Sequence, residues 1–329
     1  MKDLIAKINK LYGLKIQSFE KVAKGALSDN YTLIQDNNKY FLKKYRFDNK
    51  ERIEEVHLSK KYFLDGGIPV VFPIINKEGE TYFFFDNAYY ALFPFVTNKQ
   101  FERGTLSKKA IVSLGEMLGR IHLLGKKSKL PINDFFKEWN KEKALQKISN
   151  IEKEINKKTT LTKFDHLAIK NLKMKKDLIN ENLLTFVDIN LANDHLTHGD
   201  YLDHNVFFDK NDQVSEVFDF EKTDYSPRMY ELFRSLMLTF FNDKFAKENI
   251  DNAKLFLNTY LNIYPTSRDE LSKGLKLYYL KSIHGIWIES EHFLNNNSRV
   301  DEFLKTDNMR IKYLSNHYLE FESRLLNEI

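Results

Sequence analysis

The spacing of hydrophobic positions changes near residue 96 and predicts two structural regions. Two pairs of β-prone runs, each interrupted by a polar turn, lie before this point, at residues 31–45 and 82–95. Between them, residues 49–64 carry apolar positions at helical spacing, and the Gly- and Pro-containing stretch 65–69 ends that helix. The first region is therefore predicted to be an antiparallel sheet with one inserted helix.

Long helical patterns follow residue 96. Ser107 is placed to cap a helix whose apolar positions repeat with the helical period, and helical patterns dominate again from Arg228 to the end. The Lys- and Asn-rich stretch 126–185 is expected to form solvated helical surface. The fold class is predicted to be α+β, with residues 1–96 in one lobe and 97–329 in a mostly helical second lobe.

Composition narrows the function classes. The 329 residues are 42% hydrophobic, enough for a substantial core, and 51 basic residues face 46 acidic ones, so nucleic-acid binding is not expected. The absence of cysteine excludes disulfides, thiolate metal sites and cysteine nucleophiles. No apolar stretch is long enough to span a bilayer, and a cytoplasmic protein without membrane partners is expected.

One segment combines several residues suited to phosphoryl transfer. His198-Gly199-Asp200 is followed after four residues by Asn205, and a predicted hairpin over 206–218 then leads to Asp219. The hairpin brings Asn205 and Asp219 to one edge, with Asp200 in the loop before it. Phosphoryl transfer uses one carboxylate to accept the substrate hydroxyl proton, here Asp200, and Asn and Asp oxygens to hold Mg²⁺, here Asn205 and Asp219.

These motifs resemble those of the aminoglycoside phosphotransferase and choline kinase superfamily, which includes type II homoserine kinases. The family pattern H-G-D-x4-N matches residues 198–205, and Asp219-Phe220-Glu221 and residues 225–232 are similar to the segments that follow it. The resemblance implies a two-lobed, protein-kinase-like fold and a kinase that uses ATP and Mg²⁺ to phosphorylate a small-molecule hydroxyl. It also implies an orienting role for His198.

The same resemblance suggests nucleotide-binding residues in the first region. Lys43 is similar to the strand lysine that reaches the nucleotide phosphates, whereas Lys44 is expected on the opposite face of the strand. Glu55, on the predicted helix, is the first candidate to pair with Lys43, and Glu54 is its competitor.

Two further parts of the first region are nucleotide-binding candidates. Residues 89–96 resemble the family's hinge strand and make Phe93 and Phe95 candidates near adenine. Residues 24–31 stand where the nucleotide-covering loop belongs and contribute Ser28 and Asn30. This loop has a single glycine, and an ordinary hairpin turn explains it equally well.

The substrate is not readable from the sequence. Glu221, Trp287 and Glu291 are candidates for its pocket, although Trp287 also fits a helix core and Glu291 a solvated helix surface. Aminoglycosides, choline, other amino alcohols, homoserine and sugars all remain open, as do the oligomeric state, the choice between ATP and GTP, and the role of His204.

Three other functions compete with a small-molecule kinase. A catalytically inactive, kinase-shaped scaffold would not need Lys43, Asp200, Asn205 and Asp219 together. A serine/threonine protein kinase is disfavoured by the short stretch between Asp219 and residue 231. A metal site formed by the clustered His195, His198 and His204 is disfavoured by their spacing.

Overall fold

The structure, a computed structural model, describes residues 2–22, 29–133 and 136–327. It has the predicted α+β architecture, a sheet region followed by a helical region. No helix within these ranges is both long and apolar enough to cross a membrane. The helices and strands are, in chain order, α1 (Lys2–Tyr12), β1 (Ser18–Lys21), β2 (Asn30–Gln35), β3 (Asn38–Lys44), α2 (Lys50–Asp65), β4 (Phe83–Phe85), β5 (Ala88–Pro94), α3 (Lys108–Gly125), α4 (Lys141–Asn156), α5 (Lys163–Glu181), α6 (Phe186–Ile189), β6 (His195–Thr197), β7 (Val206–Phe208), β8 (Val214–Val217), β9 (Asp224–Ser226), α7 (Arg228–Phe240), α8 (Lys247–Ile263), α9 (Arg268–His284), α10 (Trp287–Leu294) and α11 (Glu302–Leu326), with short 3₁₀ helices at Asp203–Asn205, Phe220–Lys222 and Ser298–Val300.

The first region is a five-stranded antiparallel sheet in the order β1-β2-β3-β5-β4. Both predicted strand pairs are present, as β2–β3 and β4–β5, and α2 lies between them in sequence. The side chain of Asn49 caps α2 by accepting a hydrogen bond from the Arg52 amide. The predicted inner stripe of this helix is buried, including the charged Lys60.

The helical region surrounds two small strand pairs that carry the motif residues. Helix α3 packs along α8, and α7 packs along α9. The pairs β6–β9 and β7–β8 contact this core through α3, and Leu196 and Val206 are fully buried. Ser107 caps α3 as predicted, because its hydroxyl accepts a hydrogen bond from the Ala110 amide. The core thus holds the ends of β6, β7 and β8 in fixed positions.

The expectation of a solvated surface for residues 126–185 is correct for only one face of its helices. Helices α4 and α5 bury Ile148, Ile151 and Ile179 in a core shared with α9. Lys175 is also fully buried, and its ammonium lies 2.9 Å from a carboxylate oxygen of Asp307. The abundance of lysine concealed an apolar face with helical spacing, which tertiary packing buries.

Candidate active site

His198 connects the two motif segments. Its Nε2 donates a hydrogen bond to the Phe218 carbonyl at 2.8 Å, and its Nδ1 accepts one from the Asp200 amide at 3.2 Å. This pattern requires a neutral ring, in agreement with burial, which lowers the pKa of His198. The ring therefore ties the backbone of Asp200 to the residue before Asp219.

Gly199 allows this loop to pass very close to the second segment. It has a φ of +82°, and a Cβ added there would lie 1.9 Å from the carbonyl oxygen of Lys222. Any side chain would therefore meet backbone and would also be strained in the left-handed region. The glycine between His198 and Asp200 is a steric requirement of the site.

Glu231 anchors the catalytic loop from α7. One of its carboxylate oxygens accepts hydrogen bonds from the His198 amide at 3.0 Å and from His122 Nε2 at 3.1 Å, and the other accepts the Tyr201 amide at 3.2 Å. Burial alone would raise the pKa of Glu231, but these donors, with His122 first, bring it below its usual value. Sequence reasoning noted residues 225–232 only as similar to the family and missed this role.

Asp200 lies between two cations that sequence reasoning also missed. Its Oδ2 is 2.9 Å from the Lys222 ammonium, and its Oδ1 forms an ion pair with Arg234. Burial would raise the pKa of Asp200, but Arg234 and Lys222 hold it well below its usual range. Asp200 is therefore ionised at neutral pH. Two positions in the sequence could have indicated these cations. Lys222 follows Asp219 by three residues, and Arg234 follows Tyr230 by about one helical turn.

Asn205 and Asp219 lie at the same edge of the β7–β8 hairpin, as predicted. The Phe218 amide donates to the Asn205 carbonyl at 3.1 Å, and Asn205 Nδ2 donates to the Asp200 carbonyl at 2.8 Å. This leaves Asn205 Oδ1 outside the loop's own bonding. Asp219 has a φ of +65°, an uncommon backbone conformation that Asp tolerates better than most residues. Two oxygen donors of different charge thus stand beside Asp200.

Lys43 reaches the second motif across the two regions. Its ammonium lies 2.7 Å from Asp219 Oδ1 and 2.8 Å from Glu221 Oε1. Burial alone would lower the pKa of Lys43, but Asp219 and Glu221 raise it above its usual value. Lys44, the next residue of β3, is on the opposite face, as predicted.

The predicted pairing of Lys43 with Glu55 is wrong, and so is that with Glu54. Glu55 accepts hydrogen bonds from Arg52 at 3.2 Å and from the Asn133 side chain at 2.6 Å, and Glu54 accepts one from Tyr82 at 2.7 Å. The carboxylates of Asp219 and Glu221 are closer to Lys43 and satisfy its charge.

Arg52 of α2 forms hydrogen bonds with the segment after Asp219. Its guanidinium donates to the carbonyls of Glu221 at 2.9 Å and Thr223 at 2.6 Å. Helix α2 therefore supports this segment through an arginine bound to backbone, rather than through a glutamate bound to Lys43. Position alone did not indicate this, because Arg52 precedes the predicted glutamates by less than one turn.

Three of the predicted nucleotide residues, Asn30, Phe93 and Phe95, lie on the same face of the sheet as Lys43. Asn30 is the cross-strand partner of Lys43, and its Oδ1 is buried with no hydrogen-bond partner among the described residues. Phe93 and Phe95 alternate along β5 and its extension with residues of the opposite face, and Phe95 lies near a cavity of about 310 Å³. Ser28 falls outside the described residues.

The predicted substrate-pocket residues do not converge on Asp200. Glu221 is buried at Lys43, as described above, rather than at the acceptor side of Asp200. Glu291 accepts hydrogen bonds from Asn295 and Asn297 at 3.0 and 2.9 Å and so holds the turn after α10. Trp287 is 44% exposed, with its ring 6.0 Å from that of Phe303. No described contact joins either residue to Asp200.

The three clustered histidines have separate partners. His195 bonds to Asp194 and Tyr264, at 2.6 and 2.8 Å, and burial lowers its pKa to about 4. The side chain of His204 is half-exposed and lies 3.3 Å from Asp203. Within the described ranges, no group of His, Asp or Glu side chains is arranged to hold a metal as a cluster of three.

Comparison with known proteins agrees with this geometry. The model of the phosphotransferase enzyme family matches residues 18–265. Among solved structures, a spectinomycin phosphotransferase in complex with ADP and spectinomycin is 16% identical, with coverage of 98% and 97% of the two chains and a TM-score of 0.62. A microcompartment-associated aminopropanol kinase is 13% identical, with 98% coverage of both chains and a TM-score of 0.63. An amicoumacin kinase in complex with AMP-PNP, Ca²⁺ and Ami is 13% identical, with coverage of 92% and 93% and a TM-score of 0.58.

No curated protein sequence matches the chain significantly. The solved structures support the fold, and the family match covers most of the chain. The predicted family and enzyme class are confirmed: this chain is a phosphotransferase and belongs to the phosphotransferase enzyme family.

Proposed function

We propose that this phosphotransferase moves the γ-phosphate of ATP to the hydroxyl of a small molecule, with Asp200 holding that hydroxyl. One observation carries the proposal. Lys43 meets Asp219 at 2.7 Å although 176 positions separate them, and His198 ties the Asp200 loop to the residue before Asp219. A strand lysine, a metal-binding carboxylate and an acceptor-binding carboxylate in one place are the parts that phosphoryl transfer uses.

The nucleotide belongs on the Lys43 side of this group. We assign residues 1–96 to a nucleotide-binding lobe and 97–329 to a lobe that carries the catalytic loop and the acceptor. When ATP binds, its phosphate oxygens would contact the Lys43 ammonium. In the structure this ammonium pairs with Asp219 and Glu221. The unpartnered Oδ1 of Asn30 and the rings of Phe93 and Phe95 are on the same face of the sheet. Availability of ATP favours a cytoplasmic location.

The residues at the hairpin edge fit a magnesium ion. Asp219 is anionic, because Lys43 outweighs the effect of burial on its pKa, and Asn205 Oδ1 is not used by the loop. Both are hard oxygen donors of the kind that Mg²⁺ prefers. When bound, Mg²⁺ would neutralise charge on the nucleotide phosphates.

Asp200 is suited to orienting the acceptor rather than to early proton removal. Its lowered pKa makes it a weak base, but the ionised carboxylate accepts a hydrogen bond from the acceptor hydroxyl. As the hydroxyl oxygen bonds to the γ-phosphorus and the bond to the ADP oxygen breaks, the hydroxyl proton becomes acidic and passes to Asp200. Positioning contributes most of the catalysis in such a loose transition state.

The short path after Asp219 favours a small acceptor. Residues 220–230 form a 3₁₀ turn, β9 and the first turn of α7, with β9 paired to β6. This path leaves no room for the long activation segment that protein kinases use. The spectinomycin, aminopropanol and amicoumacin kinases with this fold also act on small molecules, which supports the same class of acceptor here.

Asp200→Asn tests the catalytic role, because it keeps the shape and removes the charge. ADP release should be measured over a panel of aminoglycosides, choline, other amino alcohols, homoserine and sugars. We expect Asp200→Asn to lose about 10²–10⁴-fold in turnover, the usual contribution of a positioned acid or base, and to retain Mg-ATP binding in a thermal shift assay.

Asp212→Asn is the matched control. Asp212 pairs with Lys99 in the turn of the β7–β8 hairpin and has a positive φ that Asn also tolerates. Its turnover should equal that of the wild type, and EDTA should silence both proteins until Mg²⁺ is restored. Equal turnover in Asp200→Asn and Asp212→Asn would refute the role of Asp200. No turnover by the wild type on any hydroxyl compound would instead favour an inactive scaffold.

A further inference from the structure

A cationic patch with aromatic walls lies next to Asp200. We define this acceptor patch by Lys281 on α9, Tyr230 and Arg234 on α7, and Phe136 and Trp139 in the segment before α4. Helices α7 and α9 pack side by side, which brings these residues together. The proposed transfer of phosphate explains none of them except Arg234, which pairs with Asp200.

The patch is continuous with the catalytic carboxylate. Arg234 forms the ion pair with Asp200, and its guanidinium is beside the Tyr230 hydroxyl. The Lys281 ammonium lies 5.0 Å from the centre of the Tyr230 ring on α7 and 4.0 Å from that of Phe136. The Tyr230 side chain therefore contacts both Lys281 and Arg234, the cation that pairs with Asp200.

Lys281 has no carboxylate within ion-pair distance among the described residues. Its ammonium donates a hydrogen bond to the Lys137 carbonyl, and the two rings contact it by cation–π interaction. Burial lowers the pKa of Lys281 to about 8, with Glu138 acting in the opposite direction. A partly buried cation without an anionic partner costs stability, so its presence beside a catalytic loop calls for a ligand.

Two cations of the patch can bind an anionic ligand. Asp200 pairs with both Lys222 and Arg234, Asp224 accepts a hydrogen bond from the Phe136 amide, and neither carboxylate pairs with Lys281. A guanidinium has five N–H donors, so Arg234 keeps donors beyond its bond to Asp200. Lys281 and these donors of Arg234 attract a carboxylate or phosphate and repel an ammonium group.

We propose that the acceptor is an anionic hydroxyl compound whose carboxylate or phosphate binds Lys281 and the remaining donors of Arg234. Its hydroxyl then lies at Asp200, and Tyr230, Phe136 and Trp139 enclose the carbon chain between the two groups. Trp139 is fixed for this role by stacking on His284, with ring centres 5.7 Å apart. The proposal deepens the proposed function and rests on it for the position of the hydroxyl.

Four compounds that share a three-carbon diol provide a test of charge alone. They are glycerate, glycerol 3-phosphate, glycerol and 3-amino-1,2-propanediol, with a carboxylate, a phosphate, no charge and an ammonium, respectively. Binding to the full chain is measured by calorimetry without nucleotide, so the result does not depend on turnover. We expect glycerate or glycerol 3-phosphate to bind at least about tenfold more tightly than glycerol, since a bond to a charged group is worth that much, and the amine to bind more weakly. The tighter of the two anions identifies the group.

Lys281→Met and Lys273→Met form the matched pair of variants. Lys273 is on the same helix and pairs with the exposed Asp269, away from the patch. Lys281→Met should remove the preference for the anion, whereas Lys273→Met should keep it, and both should bind Mg-ATP like the wild type. Equal binding of all four compounds, or an undiminished preference in Lys281→Met, would overturn the proposal. Loss of ATP binding in Lys281→Met alone would also overturn it, because the lysine would then serve the nucleotide. Failure of the wild type to bind Mg-ATP would instead refute the proposed function and leave the charge preference measurable.

Discussion

Replacing Lys43 with Met should expose the energetic role of the contact between the two regions. Met keeps most of the apolar stem of the side chain and removes the charge that both Asp219 and Glu221 share. We expect two effects: a loss of Mg-ATP binding and a loss of folding stability. The second follows because two carboxylates would remain in a poorly solvated place with Arg46 as the nearest described cation, 3.3 Å from Glu221.

The size of the stability loss depends on how far each partner is buried. The side chains of Lys43 and Glu221 are 11% and 6% exposed, whereas that of Asp219 is 34% exposed. Breaking a fully buried ion pair costs about 3–5 kcal/mol of folding stability. Because water screens the interaction of Lys43 with the more exposed Asp219, we expect Lys43→Met to lose about 2–4 kcal/mol at pH 8.

Acidification should reduce this loss. In the wild type, Lys43 keeps the pKa of Asp219 below its usual value, so that group does not titrate between pH 8 and 5.5. In Lys43→Met, burial without the neighbouring cation should raise the pKa of Asp219 above its unfolded value. The folded variant then takes up protons as the pH falls, which stabilises it relative to its unfolded state. The gap from the wild type should therefore be smaller at pH 5.5 than at pH 8.

These effects are measured by urea unfolding of the wild type, Lys43→Met and Lys44→Met at pH 8 and at pH 5.5. Lys44 is the next residue of the strand and is on the opposite face, so its variant should lose less than about 0.5 kcal/mol, as surface substitutions usually do. Adding Glu221→Gln to Lys43→Met should recover part of the lost stability, because one unpaired carboxylate disappears. Equal losses in Lys43→Met and Lys44→Met, or a gap that does not change with pH, would refute the reasoning.

Two substitutions, one in the catalytic loop and one at its anchor on α7, should separate steric from polar requirements. Gly199→Ala should lower the melting temperature and abolish ADP release, because its Cβ would lie 1.9 Å from the Lys222 carbonyl oxygen. Gly79→Ala is the control for backbone strain alone, because Gly79 also has a positive φ but its added Cβ would meet open space. Glu231→Gln should lose about 1–3 kcal/mol of stability by urea unfolding, together with turnover, because a neutral amide cannot accept all the hydrogen bonds from His198, Tyr201 and His122. Wild-type turnover in Gly199→Ala or Glu231→Gln would show that the loop tolerates rearrangement.

Short-range patterns in the sequence were sufficient for the fold class and for the catalytic loop. The hairpin signals, the helical period of α2 and the cap at Ser107 depend on neighbouring residues, and the structure has all three. The spacing of Asp200 and Asn205 is also local, and the β7–β8 hairpin brings Asp219 beside them for the same reason. A turn and two short strands leave little freedom over so few residues.

Only the tertiary structure decided which charges meet. Lys43 pairs with Asp219 and Glu221 rather than with Glu55, because α2 turns Glu55 towards Arg52 and Asn133. A one-residue difference on a helix rotates a side chain by about 100°, and the sequence pattern does not say which acid then faces the sheet.

The same limit concealed the cations around Asp200. Arg234 and Lys281 are on α7 and α9, outside the motif segments, and the sequence pattern does not distinguish them from other arginines and lysines of a helix. They reach Asp200 and its surroundings only because the two helices pack together. The sequence by itself determined the enzyme class, since the pattern from His198 to Asn205 and the hairpin after it are local. Which charges surround Asp200 was decided by tertiary packing, because electrostatic contacts depend on distance in space rather than along the chain.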